Sequence, residues 1–353
     1  MIPYWILFAL TAYAALNQPA DFTRTTREGW ILFGTFLALV IGFRYQVGGD
    51  WYNYLRNLGS LEGFNLNEVL VKSDPAHQLF SWISLRIGWG VYGINLVYGA
   101  IFSTGLIIFC RAQPRPWIAL SVAVPYLVIV VAMGYSRQGV AIGIAMVALL
   151  ALSEQKVLKF VALIAIAALF HKTAVILVPM AILANTRKKV WTAIWVVLAL
   201  GLLYKLLVES SAESLVQGYL VAGYASSGGP IRVAMNVLPA VIFLYYRNRF
   251  DLDENTRLLW TWISLGSLLM VPALYLSPSS TAVDRVALYF IPLQLFVFSR
   301  LPLVFGYGEY ANKNTEQQII LFYAVVQFVW LFYAANAGYW IPYQFYWFAD
   351  ISS

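Results

Sequence analysis

The feature that most limits what this chain can fold into is a recurring run of apolar residues almost free of charge. Residues 30–43, "WILFGTFLALVIGF", are one instance, and similar runs return along the whole length. A hydrocarbon layer about 30 Å thick takes roughly 20 helical residues to cross. Within it, only helices and closed barrels satisfy every backbone donor and acceptor. The runs are continuous rather than alternating, which argues against a β-barrel. The expected fold is therefore all-α, a polytopic helical membrane protein. A chain with 61% hydrophobic residues and a mean hydropathy of +0.71 has too little polar surface for a soluble domain.

Polar breaks between the runs predict about 12 transmembrane helices. They fall near residues 3–17, 29–47, 92–110, 117–133, 138–152, 157–170, 173–185, 190–208, 232–246, 258–276, 286–300 and 318–336. The segment "SDPAHQLFSWISLRIG" is shorter and carries His77 and Arg86. It reads as a re-entrant or interfacial helix near 75–89, opened by Asp74 as N-cap and Pro75 in the first turn. Residues 48–91 and 209–231 form the longest loops, neither large enough for a soluble unit, so residues 1–353 are expected to be a single transmembrane domain. The first apolar run has no basic residue before it and no small-residue cleavage site after it, as in a retained helix rather than a signal peptide. Cys110 is alone, excludes an intramolecular disulfide and lies in an apolar run as a packing residue.

Charge orients the spans. With twelve helices and both termini outside, the larger share of the 23 Lys and Arg residues falls on cytoplasmic loops, as the positive-inside bias requires. This bias accounts for the net charge of +7 without nucleic acid as a partner. A thirteen-span arrangement, with residues 76–89 crossing and the first two helices flipped, satisfies the charge rule slightly better. It would put "RYQVGGDWYNY" on the opposite side from Arg137 and Arg285. Twelve spans gather the unusual polar residues on one outer face. Tyr and Trp in "YWIPYQFYWF" suit an interfacial belt.

Those polar residues are Arg44 and Asp50, Arg137 and Gln138, His171 and Lys172, Arg232, and Arg285. A charge in hydrocarbon is costly, so each should face a protein-lined cavity. Each also has a plain structural reading. Asp50 can cap the helix beginning "WYNYLRNL". Thr281 and Asp284 have capping-box spacing. Arg44 and Arg232 can snorkel to headgroups, and His171 can be a hydrogen-bonded packing residue. Together, several guanidinium groups, an imidazole and a carboxylate suit a diphosphate-bearing substrate. Arginine grips phosphate oxygens with paired donors, and histidine can take a proton from a hydroxyl. Two histidines and one cysteine in the chain form no metal-ligand spacing, and no glycine-rich phosphate loop is present. No metal or other cofactor is expected.

The pieces "FRYQVGGDWYNY", "SDPAHQLFSWI", "YSRQGVAIGIAM", "AALFHKTAVILVP" and "DRVALYFIPLQLF" follow one another over residues 43–296. In wording and order they resemble the EpsG family of Wzy-like polysaccharide polymerases. The chain departs mildly, with "GGD" where the family commonly has Gly-Thr-Asp and "DP" where it has Glu-Pro. The resemblance implies a bacterial inner-membrane glycosyltransferase acting on the periplasmic, or outer, face. Such enzymes join oligosaccharide repeats carried on undecaprenyl diphosphate into O-antigen, capsule or exopolysaccharide, without a metal. Its partners would be the lipid-linked donor and acceptor and the surrounding membrane lipid, with a chain-length regulator and a flippase implied by analogy.

The expected chemistry is a one-step inverting displacement at an anomeric carbon. His171 is the candidate base, with Asp50 as alternative base or as its orienter. Arg137 and Arg285, with Arg44 or Arg232, are candidates for the diphosphate, and Trp51, Tyr52, Tyr54 and Gln138 for the sugars. A flippase for lipid-linked sugar is the rival from another class. It would favour polar residues near mid-membrane in repeated halves, and no repeat is visible. A polysaccharide ligase would share most of this chemistry.

Overall fold

Proline and capping residues start the helices where the apolar runs begin. Thr26 accepts from the Gly29 N–H ahead of α2 (Arg27–Gly42), which follows α1 (Ile2–Leu16). Pro75 opens α5 (Pro75–Arg86), after the short α3 (Trp51–Gly59) and α4 (Leu66–Leu70). The computed structural model describes residues 1–18, 26–184, 228–307 and 310–349, with isolated positions between 194 and 205. Among these residues the fold is helical, with no strand beyond two isolated bridges. The expected span at 190–208 and most of the loop 209–231 lie outside the described residues.

The remaining elements are α6 (Gly90–Arg111), α7 (Pro116–Ala123), α8 (Ser136–Ser153), α9 (Val157–Phe170), α10 (Met180–Leu183), α11 (Gly229–Tyr246), α12 (Glu254–Leu276), α13 (Ser280–Ala287), α14 (Ile291–Val304) and α15 (Lys313–Tyr333). Among the described residues, six stretches have the length and apolarity to cross a membrane: α6, α8, α11, α12, the run Ser280–Val304 and α15. The expected count of about twelve is not reached on that measure. Other apolar helices are shorter, and two of them change helical form on the way. Pro116–Ala132 turns from α to a π-helix at Val124, and Lys172–Leu183 begins as a 3₁₀ turn. Helix α5 has 12 residues, about 18 Å at 1.5 Å per residue, and is too short to cross.

Membrane packing depends on close backbone approach rather than on hydrophobic exclusion of water. Helices α6 and α8 achieve it through Gly105 and Gly143. A Cβ on Gly105 would lie 2.1 Å from the Gly143 carbonyl oxygen. One chain of mid-bundle polar groups is satisfied internally. Tyr323 donates to Gln294 at 2.8 Å, Gln294 to Asn236 at 2.7 Å, and Asn236 to the Ala287 carbonyl at 2.7 Å, tying α11, α14 and α15. Outward-facing Leu158, Leu269, Leu321 and Phe332 are exposed, a surface suited to lipid and unusual in water. Cys110 is buried, as a packing residue should be.

The α3–α5 segment folds back into the bundle. His77, near the start of α5, bonds Tyr98, and Ser84, near its end, bonds the Gly90 carbonyl. Gly90 and Tyr98 are separated by roughly 12 Å along α6, so the N-terminus of α5 is recessed by about two helical turns. The loop before α3 is pinned by Gly48. Its N–H donates to Tyr339, and the Asp50 N–H donates to Gly134, at 2.7 and 3.1 Å. Gly48 has φ +101°, and a Cβ there would sit 2.1 Å from the Met133 carbonyl oxygen. Replacing Gly48 by Ala should lower stability by about 1–3 kcal/mol. The check is thermal unfolding in detergent, where an unchanged midpoint would show that this packing is not needed.

Candidate functional site

Arg44 follows α2 and has no exposed surface. Its Nε donates to the Val47 carbonyl at 3.0 Å and its Nη1 to the Ile41 carbonyl at 2.5 Å. Nη2 donates to Asn95 of α6 at 2.9 Å and to Ser136 of α8 at 2.7 Å. A guanidinium with its nitrogens so engaged is a structural tie between three elements, out of reach of a substrate. Headgroup snorkelling does not occur at this position.

Asp50 precedes α3 in helical conformation, and its side chain makes no capping bond. The capping reading is replaced by a different contact: the Tyr54 hydroxyl lies 3.5 Å from its carboxylate. That hydroxyl in turn accepts from the Arg137 backbone N–H at 3.1 Å. Tyr54 and Trp51 are buried, Trp51 against Tyr45 and Tyr92, so protein covers the rings that a sugar would stack on. Tyr52 is exposed.

Arg137, in the first turn of α8, pairs with Asp74 at 2.8 Å, and its side chain stays 35% exposed. Asp74 precedes Pro75 in a left-handed conformation (φ 55°) and makes no capping bond. Its sequence reading as an N-cap held for position but not for its carboxylate. Burial pushes the Asp74 carboxyl up, while Arg137 and then Lys172 pull it down. Lys172 also reaches Ser73, with Nζ 3.4 Å from the hydroxyl.

His171 is the turn residue between α9 and the 3₁₀ turn that follows, belonging to neither. Its Nδ1 is 2.9 Å from the Thr173 hydroxyl, which donates to Tyr289 at 3.2 Å. In the tautomer with its proton on Nδ1, His171 donates to the Thr173 oxygen. That leaves Nε2 with the lone pair. Thr173 therefore holds the place that Asp50 was expected to fill as orienter. Burial first, then Arg137, Arg285 and Lys172, push the His171 imidazole down to about 3. It stands neutral at ordinary pH, with three cations near it.

Gln138 and Arg285 bind each other. The Gln138 amide donates to the Arg285 carbonyl at 2.5 Å, and Arg285 Nη1 donates to the Gln138 oxygen at 3.3 Å. The Arg285 guanidinium lies 4.5 Å from the centre of the Tyr135 ring. No carboxylate is within ion-pair distance of it among the described residues. Arg232 pairs instead with Asp284 at 2.6 Å. The expected capping box does not form, because Ser279 caps α13 and Asp284 faces Arg232.

One centre thus gathers Arg137, Asp74, Lys172, His171, Thr173, Gln138 and Arg285. Arg44, Arg137, Lys172 and Arg285 outnumber Asp50 and Asp74, which leaves positive charge in a recessed, part-buried place. Sequence reasoning missed Asp74 as the partner of Arg137, because an acid before Pro reads as a cap. It also missed Thr173, although its position two residues after His171 was available as a signal.

A helical membrane protein with a cationic, histidine-bearing centre at one end of its bundle is the class these features define. The sequence model of the EpsG family matches residues 29–345. The chain belongs to the EpsG family, a family of Wzy-like polymerases. No curated protein and no solved structure matches it.

Arg44→Ala should cost several kcal/mol, at about 1–3 per buried acceptor left unpaired. Arg44→Lys should not rescue it, since one ammonium cannot reproduce the planar fork. Arg137→Lys, which keeps a cation beside the buried Asp74 carboxylate, should leave folding nearly intact. Folded yield and unfolding midpoint in detergent separate the three, and equal losses in the 44 and 137 variants would remove the distinction.

Proposed function

We propose that this protein is a membrane glycosyltransferase that polymerises undecaprenyl-diphosphate-linked oligosaccharide repeats into surface polysaccharide. Its site faces the periplasm or the cell exterior from the bacterial inner membrane. Family membership supports the polymerase class. The arrangement that supports the mechanism is a histidine held at Nδ1 by Thr173, in a centre where Arg137, Lys172 and Arg285 outnumber Asp74.

In the proposed reaction, Arg137 and Arg285 hold the donor diphosphate. The acceptor hydroxyl oxygen attacks the anomeric carbon as the carbon–oxygen bond to the diphosphate breaks. The hydroxyl proton passes to His171 Nε2, while Thr173 keeps the imidazole in the required tautomer. The lipid diphosphate leaves as an anion, and the guanidinium groups stabilise its growing charge. Attack from the opposite face inverts the anomeric centre. Asp74 presents Arg137, Gln138 presents Arg285, and Arg44 serves the scaffold. Tyr52 remains a candidate sugar contact at the rim. A chain-length regulator and a flippase are the partners this activity would need in a cell.

The test uses purified protein in lipid with the host's lipid-linked oligosaccharide, its products resolved by size. Wild type should give a ladder spaced by one repeat. His171→Gln should slow it about 10²–10⁴-fold, and Arg137→Lys about 10²–10³-fold, both with wild-type unfolding midpoints. A full ladder from either variant would remove that residue from the reaction.

The pH profile gives a separate check. A base whose pKa is held near 3 loses function only when protonated well below the usual histidine range. The acid side of kcat/KM should therefore be flat between about pH 5 and 8. An inflection near the ordinary histidine value, about 6.5, would contradict a base held neutral. Orientation is read by labelling a cysteine at position 171, in a Cys110→Ala background, with an impermeant maleimide added from outside.

A further inference from the structure

Beside the centre just described is a cavity of about 250 Å³. Its walls include Tyr126, Tyr135, Arg232, Trp330, Tyr333 and Asn336. None of these except Arg232 stood out in the sequence. Tyr135 belongs to both places: it lines the cavity, and Arg285 lies on its ring.

The lining is specific in chemistry. Indole and phenol rings offer flat apolar faces with polar edges. Between them stand the Asn336 amide and the Arg232 side chain, the latter fixed by Asp284. A pyranose ring has matching features, with axial C–H groups forming an apolar face and hydroxyls around its rim. The volume falls below the roughly 300–1,000 Å³ of sites for drug-sized ligands. That size suits one sugar ring rather than an oligosaccharide. A lipid tail would find the Asn and Arg side chains unfavourable, and a phosphate would gain nothing from the aromatic walls.

The walls are also built rather than incidental. The π-helix around Tyr126 and the turn at Tyr135 face the start of α11 and the end of α15. Trp340 closes the back, donating through Nε1 to the Ile129 carbonyl at 2.8 Å and meeting Trp330 edge-on with ring centres 5.0 Å apart. Tyr333 and Asn336, both lining the cavity, are exposed.

We infer that this cavity binds the sugar directly bonded to the lipid diphosphate, and so selects which lipid-linked repeat the protein accepts. The inference rests on the proposed diphosphate reading for Arg285. A sugar joined to a diphosphate is one glycosidic oxygen from it, and the cavity adjoins Arg285 across a single ring. Tyr333 and Asn336 are specificity contacts, separate from the residues that act on the reacting atoms.

The experiment measures binding in nanodiscs of two probes, undecaprenyl diphosphate alone and the same lipid bearing one N-acetylhexosamine. The lipid-linked oligosaccharide extracted from the producing strain serves as a third. Wild type should prefer at least one sugar-bearing probe by about tenfold. Tyr333→Ala and Asn336→Ala should each erase most of that preference, leave affinity for the bare lipid unchanged and raise KM more than they lower kcat. Both positions are exposed, so unfolding midpoints should match wild type. If the two variants keep the wild-type preference, or weaken all probes alike, the cavity does not hold that sugar. If wild type binds bare lipid diphosphate in an Arg285-dependent way but shows no sugar preference, the cavity inference fails and the diphosphate reading stands. If neither bare nor sugar-bearing lipid binds, both fail.

Discussion

The buried guanidinium of Arg44 is the interaction on which the arrangement at this end of the bundle depends. It joins the end of α2, the loop through Val47, Asn95 on α6 and Ser136 at the start of α8. A charge withdrawn from water is tolerable only when its donors are satisfied. That requirement works in both directions here. The loop "YQVGGD" must present its Val47 carbonyl, and the α7–α8 turn must present Ser136, before the guanidinium can be buried. Arg137 is the next residue after Ser136, so fixing the one aims the other. Gly48 lets the two loops touch, since a Cβ there would meet the Met133 carbonyl, and Gly134 leaves room for the Trp340 ring.

How far this was legible in the sequence differs by level. Apolar runs predict the helices well, because crossing hydrocarbon leaves the backbone no alternative. They predict the number of full-length spans less well. Length in sequence does not register a π-helix at Val124 or a 3₁₀ turn at Lys172. The polar residues at helix ends were recognisable as a set, since charge in this setting needs a partner. Which partner each one took was not. Asp50, Asp74 and Asp284 each sit at positions that local rules assign to helix caps. Other partners claim all three: Tyr54 one turn on for Asp50, and Arg137 and Arg232 from other elements for Asp74 and Asp284. The closing aromatic segment shows the same limit. Trp347 and Phe348 are exposed, as a belt residue would be, while Trp340 is 1% exposed and packs against the π-helix.

The ion pairs Arg137–Asp74 and Arg232–Asp284 bear on how an anion would be received. A carboxylate already on a guanidinium lowers its pull on a second anion, yet it also fixes the fork and prevents collapse of the empty site. Arg137 uses one terminal nitrogen on Asp74 and stays part-exposed, so a phosphate oxygen has a donor left to approach. Arg285 has no such neutralising partner among the described residues, only an amide and an aromatic face. Under the proposed reading the two arginines divide the work. Arg285 supplies uncompensated charge, and Arg137 supplies a preorganised donor whose direction Asp74 sets.

The same cations bear on the choice of base. A histidine among Arg137, Arg285 and Lys172 is disfavoured as an imidazolium, which makes it a weak proton acceptor in the empty site. Under the proposed reading, a bound diphosphate would bring negative charge to those same cations and relieve that penalty. Proton affinity at Nε2 would then rise only when the donor is in place, coupling base strength to occupancy through ordinary electrostatics. The Asp50 carboxylate faces the Tyr54 hydroxyl and makes no bond to the imidazole among the described residues. Under the proposed reading, His171 and the leaving group share the same cations, which ties the base to the diphosphate it serves.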